Sequence, residues 1–129
     1  MRTFDTGATR DDDTNKIDYE GFLSPLVLER YGEYMNSHRI QADGKLRDSD
    51  NWQKGISLTA YIKSLWRHFF DLWKIYRGVN CPIYDKKDGH LILADEALCA
   101  VIFNASGYLH ELLKRKEKIE LVQKLWEAE

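Results

Sequence analysis

The stretch LTAYIKSLWRHFFDLWKIYR, residues 58 to 77, constrains the fold of this chain more than any other. Its large apolar residues, among them Tyr61, Leu65, Trp66, Phe69, Phe70 and Trp73, recur at helical spacing but cover more than one stripe. A helix apolar on most of its girth is buried inside a bundle or across a dimer interface. Ser57 or Thr59 can cap its start, and Gly78 can end it in a left-handed turn. With 129 residues and 43% hydrophobic content, the chain is large enough for one domain with a core and too small for two.

Two further helices flank this one. Ser24 is placed as an N-cap and Pro25 at the first helical position, and Leu28, Tyr31, Tyr34 and Met35 then repeat at helical spacing, which predicts a first helix at about 25 to 38. LADEALCAVIFNASGYLHELLK predicts a third from about 94 to 115, which the tail KEKIELVQKLWEAE either prolongs or follows with a fourth. Residues 40 to 56 read as a long loop, and 79 to 90 as a turn or short hairpin. The expected fold class is therefore all-α, an antiparallel helical bundle with a long loop between the first and second helices. Residues 1 to 15 are expected to form an irregular N-terminal arm, and 16 to 129 a single domain.

A formal charge of -2 removes the broad electrostatic footprint of a duplex nucleic-acid binder, so no nucleic-acid partner is expected. No apolar run approaches the ~20 residues of a membrane span, so no membrane partner is expected and a cytoplasmic location follows. Cys81 and Cys99 sit in unlike contexts and are expected to stay reduced.

Each helix carries polar side chains that would face the others. Glu29 and Glu33 share a face of the first helix with Asn36; Arg67, His68 and Asp71 sit in the most aromatic run, near Lys63 and Ser64; Glu96, Asn104 and Glu111 line the third. Such groups cost several kcal/mol in apolar surroundings unless paired or metal-bound. Carboxylates converging from several helices would form a hard-oxygen cage suited to magnesium. A blander reading makes Glu29 and Glu33 a solvated face, His68 with Asp71 a structural pair, and Asn104 a packing residue. No nucleophile elbow, P-loop, glycine-rich dinucleotide turn or zinc spacing is present, which leaves metal-assisted attack by water as the available chemistry. In DSDNWQKG, residues 48 to 55, the indole of Trp52 either plugs the core or offers its face to something flat.

The blocks DTGATRDDDTNKIDYEGFLSPLVLERYGEYM, LRDSDNWQKGI, YIKSLWRHFFDLW and EALCAVIFNASGYLHELLK together resemble the phage dATP/dGTP diphosphohydrolase domain family, itself similar to the all-α MazG-like pyrophosphohydrolases. The likeness covers roughly residues 4 to 114. It implies magnesium-dependent hydrolysis of dATP or dGTP to the monophosphate and pyrophosphate, in phage nucleotide metabolism that supports 2-aminoadenine DNA, within the host cytoplasm. The wider superfamily carries metal on EExxE followed by ExxD. Here the second helix offers RHFFD, with His68 and Asp71, and Cys99 stands three residues after Glu96 where the second acid would be.

On this resemblance Asp71 and Glu96 are the expected metal ligands for Mg2+, with Mn2+ or Co2+ as possible replacements. Glu29, Glu33 and His68 are the expected catalytic residues, either carboxylate acting as a third ligand or as the base that orients water. Asn104 would fix a carboxylate or a phosphate oxygen, and Lys54, Lys63 and Arg67 would grip the triphosphate. Trp52 would stack on the purine while Asn51 and Gln53 read its edge. A bundle this small seldom encloses a nucleotide alone, so a homodimer or homotetramer with its site near an interface is expected. The rival readings are a non-catalytic helical phage adaptor or nucleotide-binding module, and an HD-type triphosphohydrolase suggested by His68 and Asp71.

Overall fold

The computed structural model describes residues 1–128. In chain order the elements are β1 (Arg2–Thr3), β2 (Thr9–Arg10), α1 (Tyr19–Phe22), α2 (Pro25–Ser37), a 3-10 turn at Asn51–Lys54, α3 (Leu58–Arg77), β3 (Ile83–Tyr84), β4 (Leu91–Ile92) and α4 (Ala94–Glu127). The protein is mostly helical, with two small antiparallel strand pairs, β1 with β2 and β3 with β4.

The helix ends follow local chemistry. Ser24 Oγ accepts from the Val27 N–H at 3.3 Å, and Pro25 takes the first helical position. Ser57, not Thr59, caps α3, its Oγ accepting from the Ala60 N–H at 3.2 Å. Gly78 closes α3 at φ 67°, where a side chain would be strained, and its N–H returns to the Ile75 and Lys74 carbonyls. α4 has no side-chain cap, but Asp95 and Glu96 in its first turn favour the positive end of the helix dipole. No proline interrupts the tail, and α4 continues through it to Glu127 as one helix.

α3 and α4 form an antiparallel hairpin. Tyr61, near the start of α3, packs edge-on against Phe103 with ring centroids 5.9 Å apart and lies over Gly107, whereas His68 further along α3 shares a hollow with Glu96, Ala97 and Ala100. α2 crosses the first half of α4, with Tyr34 against Cys99 and Ala100 and flanked by Tyr31, Met35 and Phe103. Ala97, Ala100 and Gly107 keep this face of α4 low, which lets the aromatic rings of α2 and α3 approach its backbone. Arg30 on α2 clamps the start of α4 through Asp95 at 2.7 Å.

One expectation is corrected. α3 is not buried on most of its girth within the chain: Tyr61 is 1% exposed, but Trp66, Phe69, Phe70, Trp73 and Tyr76 face outward. The loop of residues 40 to 56 is locally ordered by an Ile40–Leu46 bridge and the 3-10 turn. The N-terminal arm carries a strand pair, tied by Arg2 to Asp13 at 3.3 Å. Both cysteines are free. No helix among the described residues is long and apolar enough to cross a membrane.

Candidate functional site

The link between α3 and α4 is the most concentrated acidic feature near the helical core. In YDKKDGHL, Asp85 Oδ1 accepts from the backbone N–H of Lys87 at 2.8 Å and of Asp88 at 3.2 Å, folding the chain back on itself. The Asp85 carbonyl accepts from Gly89, whose φ of 77° suits glycine, and the Asp85 N–H returns to the His90 carbonyl at 2.8 Å. Asp88 Oδ1 accepts from the His90 N–H at 3.0 Å. These turns gather Asp85, Asp88 and His90, with one ligating atom of each within 4.8 Å of the others.

His90 joins the hairpin to α4. Its Nε2 lies 2.9 and 3.0 Å from the two Glu96 carboxylate oxygens, and its Nδ1 contacts Asp88. With a carboxylate facing each nitrogen, the ring keeps both protons. Glu96 and then Asp88 push its pKa up to about 9, and the His90 contacts hold Asp88 below the usual carboxylate range.

Glu96 also opens onto a hollow of about 50 Å³ lined by Tyr34, His38, His68, Asp85, Ile92, Ala97 and Ala100. Burial lowers the His68 imidazole from its ordinary value, against an upward pull from Asp71. Burial, reinforced by the Glu96 charge, pushes the Tyr34 phenol up to about 12, so it stays protonated. Two larger cavities adjoin. One, about 320 Å³, has Tyr34 and His38 in its wall together with Arg39, Arg47, Asn51, Trp52 and Phe103. The other is an open groove of about 830 Å³ that shares His68, Asp85 and Ile92 with the hollow and adds Arg67, Asp71, Lys74 and Tyr84. Lys87 lines both of the larger cavities.

Of the residues singled out from sequence, His68 and Glu96 meet in the small hollow, Asp71 and Arg67 line the groove, and Asn51 and Trp52 line the 320 Å³ cavity. Asp71 is paired with Lys74 at 3.5 Å, and Arg67 donates to Ser64 Oγ at 2.8 Å. Trp52 is both plug and wall, since its ring packs edge-on against His110 at 4.7 Å while lining the cavity. Gln53 and Lys54 are exposed, and the Gln53 carbonyl accepts from Lys114 Nζ at 3.2 Å. Glu29, Glu33 and Lys63 are exposed and line none of these three cavities. Asn104 is 5% exposed and spends its amide on its own helix, donating to the Ala100 carbonyl at 2.8 Å. The Asn104 amide is thus bonded within its own helix, and Glu29 and Glu33 lie outside the polar centre.

Compared with known proteins, the chain matches no family profile, no curated protein and no solved structure.

Sequence reasoning did not single out Asp85, Asp88 and His90, nor Tyr34, His38, Arg39 and Arg47 as site residues. The signal was available in DKKDGH: two acids three apart, then glycine and histidine, is a turn whose Asp side chains bond its own backbone and so gather the carboxylates. A search confined to helix faces passes over it.

Proposed function

We propose that this protein is a MazG-like, divalent-metal-dependent pyrophosphohydrolase that converts dATP or dGTP to the monophosphate and pyrophosphate. The observation that carries the reading is the run of three adjoining spaces. An aromatic cavity within the size range of small-molecule sites, a hollow bounded by Tyr34, His38, His68, Asp85 and Glu96, and a groove bearing cations share wall residues in that order. A base beside Trp52 and Phe103, with its phosphates directed past Lys87 toward Asp85, follows that path. Arg39 and Arg47 are the cations nearest the base end and Arg67 and Lys74 those of the groove.

The donor set fits a divalent ion. Asp85 and Asp88 offer the hard oxygens that Mg2+ prefers, while the His90 imidazole suits Mn2+ or Co2+ better. Glu96 stands next to His90 as a further carboxylate. His90 must first release a ring proton, so loading is proton-linked. The ion supplies charge neutralisation on the phosphates and a more acidic water. His68, held neutral by burial, would serve as the proton acceptor for an attacking water, and Lys87 would hold a phosphate oxygen by Coulombic attraction. The Asp71 charge, one helical turn away, pulls the His68 pKa up against the effect of burial.

The same reading expects a homodimer or homotetramer, supported by the short list of buried apolar side chains beside many exposed ones, Trp66 and Trp73 among them. No nucleic-acid partner and a cytoplasmic setting in a phage-infected host belong to the same proposal.

The test is product analysis of a nucleotide panel with Mg2+, Mn2+ and Co2+ and with chelator. Metal-dependent dGMP or dAMP with pyrophosphate is the expected result. Triphosphate as the inorganic product would replace this reading with an HD-type enzyme. Binding without turnover would make the protein a nucleotide-binding module, and neither binding nor turnover a non-catalytic adaptor.

A further inference from the structure

α3 stops covering α4 long before α4 ends. Tyr61, in the first turn of α3, lies over Gly107, and the tether from Lys114 Nζ to the Gln53 carbonyl is the last hydrogen bond from α4 to the rest of the chain. From Lys116 to Glu127 the helix projects by about 18 Å at 1.5 Å per residue. That projection is not polar all round. The buried line Ala97, Ala100, Asn104, Gly107, at steps of three and four residues, runs on through Glu111, Lys114 and Lys118 to Leu121 and Leu125. Val122, Trp126 and Ile119 widen the stripe on one side, and all five apolar residues are exposed, Trp126 at 78%. Lys116, Glu120, Gln123 and Glu127 occupy the opposite side, and Glu117 and Lys124 lie at the border between. Along one border of the stripe runs an open hollow of about 510 Å³ walled by α4 alone.

We infer that this projecting end of α4 is a self-association surface, on which the same segment of a second copy packs antiparallel. The stripe continues the face that α4 already uses against α3, so an apolar helix is the kind of object that fits it. The charges choose the copy and its direction. Glu117 and Lys124, two turns apart, wall the hollow along the border of the stripe, while Lys114 and Lys118 sit in the line itself at its near end. Antiparallel packing centred at Leu121 sets Glu117 of each copy beside Lys124 of the other, and parallel packing sets the near-end lysines of the two copies together. The exposed aromatic face of α3 is a poorer self-partner, because Lys63, Arg67, Lys74 and Arg77 outnumber Asp71 along that helix and self-pairing would oppose cations.

The experiment reads assembly without substrate. Sedimentation equilibrium of the full chain at micromolar concentration is expected to give a dimer or a multiple of it, and Leu125→Glu, at an exposed position that leaves the packed half untouched, is expected to halve the assembly. A monomeric wild type overturns the inference, as does an assembly that survives Leu125→Glu but falls apart in Trp73→Glu. Direction is read in a Cys81→Ser background with a short bismaleimide. Arg115→Cys is expected to cross-link to Trp126→Cys, both beside the stripe, when the two variants are mixed, and neither to itself. Self-linking at either position overturns the antiparallel arrangement.

Discussion

His90 and Glu96 form a two-oxygen contact, with Nε2 at 2.9 and 3.0 Å from the carboxylate, and through it the β3–β4 hairpin is fastened to the first turn of α4. Because the His90 pKa is raised to about 9 from an ordinary 6.5, the contact contributes stability in full below about 6.5 and loses it as pH rises through about 9. Imidazole NMR titration is expected to show one histidine with a midpoint near 9, returning toward the ordinary range in Glu96→Gln. A histidine midpoint unchanged by that substitution would separate the two side chains in solution.

Glu96 also faces the hollow with His68 and Asp85. Glu96→Gln is therefore expected to lower turnover of dGTP by at least about tenfold while the nucleotide still binds, since carboxylates that hold a metal or its ligands typically matter on that scale. Wild-type turnover in this variant would remove Glu96 from the site.

His68 titrates the other way. Its pKa is lowered by burial, so the folded state holds the ring neutral, and acidification below about 6.5 favours the unfolded chain. The expected outcome is a loss of denaturation midpoint on going from pH 7 to pH 5 that is smaller in His68→Gln. An equal loss in both proteins would assign the acid sensitivity to other groups.

The Trp52 ring touches His110 and also walls the 320 Å³ cavity. Stacking of a base on an aromatic ring is worth about 1–3 kcal/mol, so Trp52→Ala is expected to raise the KM for dGTP by roughly 5- to 150-fold with less change in kcat. A KM that stays put while thermal stability falls would make Trp52 a plug alone.

At Gly107 an added Cβ would overlap the Tyr61 ring directly, so Gly107→Ala is expected to cost about 1–3 kcal/mol by urea denaturation through overpacking. Tyr61→Phe is the counterpart. The Tyr61 hydroxyl is buried without a hydrogen-bond partner, as is Glu111 Oε1, so deleting the hydroxyl is expected to be neutral or stabilising within about 1 kcal/mol. A large loss in Tyr61→Phe would mean that the two groups bond in solution.

Much of the helical frame was legible because its signals are local. Ser24 and Pro25 start α2, Ser57 and Gly78 bracket α3, and the periodicity of 94 to 115 belongs to α4. The outward face of α3 was not legible, since periodicity reports that a surface is apolar without saying whether its cover comes from the same chain. The candidate site was half legible. His68, Asp71 and Glu96 follow from charges set in apolar helices, but the acids at Asp85 and Asp88 lie in a turn, where polar residues are the rule and draw no notice. The bond from the Asn104 amide to the Ala100 carbonyl was not legible either, because sequence shows a polar residue in an apolar helix without showing its partner.

The central claim is that the Asp85 turn and the helices around it hold a divalent ion against a nucleotide triphosphate. The direct measurement is 31P NMR of dGTP with Mg2+, for the wild type and for Asp85→Asn. The account predicts metal-dependent growth of monophosphate and pyrophosphate signals that falls by at least about tenfold in the variant. Equal product from both proteins, or product that persists in excess chelator, would contradict it.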